Sequence, residues 1–385
     1  MKNTSVRVAF ITHYTNLHGA NRSLMNLIEG LKPLGVDVGV VCPAKGQITD
    51  ELERLEIPNV ILPFADWLSR AHQGRWYRLW CNLKVLPALL KKIREWNADV
   101  IYTNSSVTPV GAFAAALLRK PHIWHIREYG LLDYGRRPDW GAAFFRFWLN
   151  RTQAVIAISH AVKKEVLKDV HVQTAVVYNG VISATDLGHL KQEVIAGDPG
   201  IYTFVMLSQI SANKNQEEAI RALAVAVKGH PHIRLLIAGN DRGDYAKRVK
   251  LLCEHLGVAG HVSFLGYVSN PWAVLRKANA VLMCSRYEAM GRVTAEAMSA
   301  GKPVIGYRNA GTAEIIEHER DGLLYEGNDE DLARCMVRLI ENPVLGMELG
   351  ARGMEKAEQR FTSEVCAGHV CEVIRDVLKS QGASG

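Results

Sequence analysis

AVLMCSRYEAMGRVTAEAMSAGKPVIG, residues 280–306, reads as strand, loop, helix and strand in one short segment. AVLMCS (280–285) and PVIGY (303–307) are continuously apolar, the pattern of parallel strands covered on both faces. Between them stand two glutamates, Glu288 and Glu296, eight positions apart. At about 100° per residue, an unbroken helix would turn their side chains roughly 80° from each other, a poor arrangement for one shared ligand. The conflict disappears if Glu288 lies on a loop and the helix starts near Gly291. Glu296 then sits in the second turn and faces the same cleft.

The same alternation runs outward in both directions. Strand candidates in the first half are VRVAFI (6–11), VDVGVVC (36–42), VILPF (60–64), VIYTN (100–104), HIWHI (122–126), AVIAIS (154–159) and AVVYN (175–179). Amphipathic helices lie between them, such as SLMNLIEGL with Leu24, Ile28 and Leu31 on one face. Polar SATDLGHLKQEVIAGDPG (183–200) interrupts the pattern as an irregular linker. YTFVMLS, RLLIAGN, VSFLG, AVLMCS, PVIGY and GLLYE then restart it. The expectation is α/β: two doubly wound domains, 1–182 and 201–355, facing a central cleft, with 356–385 as a C-terminal helix packing back on the first.

A chain of 385 residues with 48% hydrophobic and 22% charged residues is a folded protein with room for two cores. VGAFAAALL (110–118) is too short to span a bilayer, and the N-terminus reads as a first strand, not a signal peptide. Seven cysteines without CxxC spacing point to a reducing cytoplasm. The net charge of +7 is concentrated: Arg70, Arg75, Arg78, Lys84, Lys91, Lys92 and Arg94 face a single acid, Glu95, between Trp67 and Glu95.

Ligands of open parallel sheets bind beyond the carboxyl ends of strands, against helix N-termini. The loop after the first strand lacks GxGxxG, so the NAD or FAD fingerprint is missing; Gly19, just ahead of a helix, lets a phosphate approach backbone amides. The matching loop of the second half, LSQISANKNQEEAI, carries Lys214 where a point charge suits a diphosphate. Glu288, the amides of Gly291 to Val293 and Glu296 form a third ligand-facing group, because a carboxylate accepts hydrogen bonds from vicinal hydroxyls. Together these groups describe a nucleotide sugar.

Glu288 and Glu296, followed by EAMSAGKPVIG, GTAEII and DGLL, closely resemble the C-terminal signature of the retaining glycosyltransferases of family 4, which have the GT-B fold. HGANRSL (18–24), AVIAISHAVKKEVL (154–167), VVYNGV (176–181) and FLGYVSNPWAVLRKANAVLMCSRYEAMG extend the resemblance over nearly the whole chain. It implies that Glu296 holds the ribose hydroxyls and that Glu288 contacts the donor sugar. Gly291, Arg292, Val293 and Lys214 bind sugar and diphosphate, with Gly19 closing on the diphosphate. His125 falls where the family has a histidine facing the donor sugar, and His122 is the competing candidate, which strand alternation does not separate from a core residue. Asn104, Arg127 and Glu128 are assigned to the acceptor side. Two positions depart from the family pattern: Gln209 replaces the usual arginine, which Arg292 is expected to offset, and Met290 replaces a frequent phenylalanine.

The implied reaction transfers a hexosyl group from a UDP- or GDP-linked sugar with retention, the leaving diphosphate taking the acceptor's proton. Glu288, His125 and Lys214 are the catalytic expectations, and no metal or other cofactor is expected. Asp329 and Asp331 form a D-x-D but open a helix, where acids suit the dipole. Aromatics among cations at 67–96 and 134–151, with Pro87 starting a second helix, suit an anionic bilayer surface. That places the protein peripherally on the inner face of the plasma membrane, acting on a glycan or lipid-linked acceptor in surface polysaccharide or lipopolysaccharide assembly. No nucleic-acid motif accompanies the basic stretch, and the sequence leaves the oligomeric state open. The rival readings are a non-catalytic nucleotide- or carbohydrate-binding relative, which Gln209 favours, and a GT-B sugar-nucleotide epimerase.

Overall fold

The computed structural model describes residues 5–70, 73–192 and 200–382. The chain divides into two compact units, Met1–Val181 with Ser363–Gly385, and Ile182–Thr362.

The first unit is built on β1 (Val6–Ile11), β2 (Val36–Cys42), β3 (Asn59–Ile61), β5 (Val100–Asn104), β6 (His122–Ile126), β8 (Ala154–Ala157) and β9 (Gln173–Val176). They form one parallel sheet in the order β3-β2-β1-β5-β6-β8-β9. The short pair β4 (Leu68–Ser69) and β7 (Arg137–Pro138) is antiparallel and lies outside that sheet. Every residue of β5, β6 and β8 is buried, which explains the unbroken apolar runs: helices cover both faces. The core joins Phe10, Val40, Tyr102 and Ile156 of the sheet to Leu24 and Ile28 of the Gly19–Leu31 helix.

The second unit repeats the plan with β10 (Tyr202–Leu207), β11 (Ile233–Ala238), β12 (Val262–Gly266), β13 (Ala280–Met283), β14 (Val304–Tyr307) and β15 (Leu323–Tyr325). The order is β12-β11-β10-β13-β14-β15, again all parallel. In each sheet the order reverses beside the unit's first strand, between β1 and β5 and between β10 and β13. These switch points are where a doubly wound sheet leaves a crevice for a ligand.

Three sequence expectations need correction. Residues 184–192 of the supposed linker form a helix, Ala184–Gln192, in which only Leu187 is buried; residues 193–199 lie outside the described set. The return to the first unit occurs at Ser363, not 356. The Pro343–Arg360 helix buries Leu349 in the second unit's core, whereas the Ser363–Gly382 helix buries Val370 and Ile374 against the first. Pro87 does not begin a helix but lies inside Arg75–Glu95, a single 21-residue helix. Both Pro87 and Leu83, whose carbonyl loses its usual N–H partner four residues on, lie on the exposed side. Water can therefore serve the freed carbonyl, and the helix continues.

Candidate active site

The loops after β10 and β13 flank the second unit's switch point, and a set of hydrogen bonds clips them together. Asn213 accepts from Arg286 N at its carbonyl (2.9 Å) and from Tyr287 N at Oδ1 (3.2 Å), and donates from Nδ2 to the Tyr287 carbonyl (3.1 Å). Gln216, fully buried in the following helix, steadies the first loop from within. Its Nε2 donates to Ser208 Oγ (3.0 Å) and the Gln209 carbonyl (3.2 Å). Asn215 takes a left-handed φ of 55°, which asparagine tolerates, and turns the chain from Lys214 into the Gln216–Ala226 helix.

The clip sets Lys214 against Glu288, and the two side chains form an ion-paired hydrogen bond, Nζ to Oε1, with little exposure. Beyond Glu288, Gly291 adopts φ 87° and precedes the Arg292–Ser299 helix, so Glu288 lies on a loop and Glu296 in the second turn. Glu296 is almost fully buried, and Arg292 Nε donates to its Oε1 at 2.8 Å. Arg292, expected to offset the arginine missing at 209, is thus engaged by Glu296. Met290 is buried and Gln209 exposed.

A second layer holds this loop and was not legible in the sequence. Gly311 N donates to the Glu288 carbonyl (2.9 Å), and a Cβ on Gly311 would lie 2.7 Å from Met290 Cα, so only glycine permits the approach. Asn309 Nδ2 donates to the Arg286 carbonyl (2.8 Å). Buried Glu218 accepts from Tyr325 Oη (2.9 Å) and pairs with Arg286 (3.3 Å); burial raises its pKa despite those contacts.

In the first unit, Gly19 is the exposed first residue of its helix. Buried Asn21 shapes the loop before it, donating to the carbonyls of Tyr14 (2.9 Å) and Asn16 (2.7 Å). Asn104, Arg127 and Glu128, expected on the acceptor side, lie in buried, braced hydrogen-bonded groups. Arg127 Nε donates to Asn104 Oδ1 (2.6 Å) and its guanidinium also reaches Asn179, while Glu128 Oε1 accepts from Ser105 Oγ (2.8 Å) and Ser106 N (2.7 Å). Burial raises the Glu128 pKa, the hydroxyl and amide donors opposing it. His125 is fully buried; its Nδ1 shares a hydrogen bond of 2.6 Å with Tyr102 Oη, and its Nε2 has no hydrogen-bond partner. His122 bonds Thr103 Oγ1 through Nε2 (2.8 Å). Sequence reasoning passed over His13 and Asp66. Burial holds the His13 imidazole down at about 3, and pushes the Asp66 carboxyl up to about 6 although Arg136 lies 3.2 Å away.

Residues 191–360 match the family described as Glycosyl transferases group 1, and residues 17–184 match Glycosyltransferase Family 4. The chain belongs to the group 1, family 4-type glycosyltransferases. N-acetyl-alpha-D-glucosaminyl L-malate synthase of Bacillus anthracis is 29% identical over 61% of this chain, which spans 62% of that relative's length. A UDP-Gal:alpha-D-GlcNAc-diphosphoundecaprenol alpha-1,3-galactosyltransferase of Escherichia coli is 23% identical over 90% of this chain and 92% of its own. Among solved structures, Anabaena HepE in complex with UDP and glucose superposes with a TM-score of 0.78 at 23% identity, covering 96% of this chain and all of that one. The fold is GT-B.

The aromatic-basic stretches of this glycosyltransferase divide between core and surface. Trp67, Trp124 and Phe145 pack together inside the first unit, and Leu86 is core. Trp76, Tyr77, Trp80 and Leu83 are more than half exposed along the Arg75–Glu95 helix, as is Phe147 on the Gly141–Leu149 helix. Arg75 stands over Trp140 (5.0 Å) and Lys84 over Trp80 (4.8 Å). Arg78 is not a free surface cation: its guanidinium grips the buried Asp139 carboxylate at 2.6 and 2.8 Å. No described helix is long and apolar enough to cross a membrane. Asp329 and Asp331 open the Asp329–Glu341 helix, where Asn328 Oδ1 accepts from Asp331 N (2.8 Å).

The buried histidines set a pH response. His13 and His122 are both held near 3 by burial, and His125 well below its usual value, whereas unfolded histidine protonates below about 6.5. At these three sites the unfolded state binds more protons, so their contribution to stability falls as pH drops from about 6.5 toward 3, opposed below about 6 by Asp66, whose raised pKa makes the folded state the better proton binder there. Thermal melts should move to lower temperature between pH 7.5 and 5, with a shallower slope in His122→Asn. Equal slopes in the parent and in His122→Asn would contradict the burial of a neutral imidazole at 122.

Proposed function

We propose that this chain is a retaining, metal-independent hexosyltransferase. It moves a sugar from a UDP- or GDP-linked donor to a glycan or lipid-linked acceptor in surface polysaccharide or lipopolysaccharide assembly. The observation that carries this reading is the Lys214–Glu288 pair at the second unit's switch point, with Glu296 one loop and two turns further on. An ammonium group meets a diphosphate as a point charge, and the two carboxylates offer acceptors to sugar and ribose hydroxyls. The E. coli relative is named for a UDP-sugar and a diphosphoundecaprenol-linked acceptor, and HepE was crystallised with UDP and glucose; both support the same substrate classes here.

In this mechanism the acceptor oxygen attacks the anomeric carbon on the face from which the diphosphate departs. The bond from carbon to the phosphate oxygen breaks with its electron pair going to that oxygen, which takes the acceptor's proton. Lys214 and the amides of Gly291 to Val293 stabilise the charge that develops on the leaving group. Glu288 positions the donor sugar. His125 acts through Nε2, since Tyr102 occupies Nδ1. The exposed indoles and cations of the Arg75–Glu95 helix hold the protein peripherally on an anionic cytoplasmic membrane surface, where the lipid-linked acceptor is found.

Gln209 favours one other reading, a relative that binds the nucleotide without turnover. Variants separate the two. Glu288→Ala frees Lys214, so nucleoside diphosphate binding is kept or strengthened while transfer falls by about two orders of magnitude. Glu296→Ala removes a charged acceptor worth about 1.5–3 kcal/mol, so calorimetry should show nucleotide affinity about 10- to 100-fold weaker. Turnover by Glu288→Ala close to that of the parent would sink the assignment, and a parent protein that binds nucleotide yet transfers nothing would favour the non-catalytic reading.

For the membrane surface, Trp76→Ser with Trp80→Ser should release the protein from anionic vesicles in co-sedimentation and leave its melting temperature unchanged, because both indoles are exposed. Unaltered co-sedimentation would return this helix face to ordinary solvated surface.

A further inference from the structure

A cavity of about 300 Å³ in the first unit lies where the Val110–Leu118 helix turns into β6, beside the end of the Gly141–Leu149 helix. His122, the first residue of β6, lines it, together with Arg119, Lys120, Trp148, Arg151 and, from the last helix, Gln381. Arg127 and Glu128 leave the other end of β6. At about 3.3 Å per residue, the cavity and those braced residues are separated by roughly 13 Å along that strand.

The charge of the lining has one sign. Arg119, Lys120 and Arg151 contribute three cations, no acidic residue lines the cavity, and none of the three has an ion-pair partner among the described residues. Arg119 and Arg151 also follow helix C-termini, where cations complement the helix dipole. That accounts for their charge but not for two buried polar atoms of the same lining. His122 is 2% exposed, and its Nδ1 has no hydrogen-bond partner. Trp148 Nε1 is likewise buried and without one. An indole N–H is only ever a donor. The imidazole is neutral because burial holds it near 3. Nε2 shares a hydrogen bond of 2.8 Å with the Thr103 hydroxyl, and in the tautomer protonated at Nδ1 the ring offers a second donor.

A buried indole donor without an acceptor, a buried imidazole nitrogen without a partner and three unpaired cations are met together by one kind of ligand: a compact anion with several acceptor oxygens. We infer that this cavity binds a phosphate group, at a site separate from the donor site of the second unit. Its volume suits a phosphate monoester or a diphosphate. The neighbouring surface suits a lipid headgroup as readily as a free anion, because Arg151 stands over the exposed Phe147 ring at 5.2 Å and Leu117 is exposed on the adjoining helix.

The indole N–H of Trp148 is a local reporter. The chain has eight tryptophans, and Trp148→Phe assigns the resonance by its absence from the nitrogen-15 correlation spectrum. The full chain would be titrated with inorganic pyrophosphate, with sodium chloride at matched ionic strength, and with phosphatidic acid in phosphatidylcholine bicelles against phosphatidylcholine alone. The Trp148 resonance should shift and saturate with pyrophosphate, with phosphatidic acid, or with both. Saturation by pyrophosphate identifies a free anion as ligand, and saturation by phosphatidic acid alone identifies a lipid phosphate. The combined variant Arg119→Gln, Lys120→Gln and Arg151→Gln changes two exposed and one half-buried side chain, and should weaken the saturating ligand at least tenfold without moving the melting temperature. A Trp148 resonance indifferent to both phosphate probes, or one that moves equally with sodium chloride, would overturn the site. Because the readout is local to Trp148, this result is independent of nucleotide binding at Lys214 and Glu288.

Discussion

The candidate site rests on the clip between the loops after β10 and β13. A parallel sheet whose order reverses leaves two neighbouring strand ends with loops running apart, and nothing in the sheet itself holds those loops in register. Asn213 supplies the missing connection by pairing its backbone and its carboxamide with Arg286 and Tyr287. Lys214 and Glu288, separated by 74 residues in sequence, then meet with little exposure. Gln216 below and Gly311 above prevent either loop from relaxing away.

The site groups are paired with each other, Lys214 with Glu288 and Arg292 with Glu296. A carboxylate or ammonium buried alone would face a large desolvation cost, so pairing is what allows four charged groups to sit at one loop and helix end. Under the proposed function the same pairing would set up exchange with a ligand: a diphosphate would compete for the lysine and hydroxyls for the carboxylates, so ligand partners would replace protein partners without stranding a charge.

The fold was legible because burial on both faces of a parallel sheet writes itself as short apolar runs, and those of β1, β2, β5 and β6 match their strands end to end. The same burial hid which histidine matters. His122 and His125, three apart, point to opposite faces of β6, but with every residue of that strand buried neither face is marked as the ligand side. The Ala184–Gln192 helix escaped notice because it buries only Leu187 and so lacks an apolar stripe. Pro87 misled because its effect depends on which side of the helix faces water. Of the site, Glu288, Gly291, Glu296 and Lys214 were legible from motif spacing. Asn213, Arg286, Asn309 and Gly311 were not, since their role is a loop geometry that no periodicity encodes.

Lys214, held beside Glu288, is the cation proposed to meet a nucleoside diphosphate. The most direct measurement is a metal-free calorimetric titration of the parent and of Lys214→Met with UDP, GDP, ADP and dTDP, and with the matching nucleosides. One diphosphate should bind the parent and bind Lys214→Met at least tenfold more weakly, while its nucleoside is indifferent to the substitution. Absence of binding by all four diphosphates, or equal affinity in parent and variant, would contradict that role.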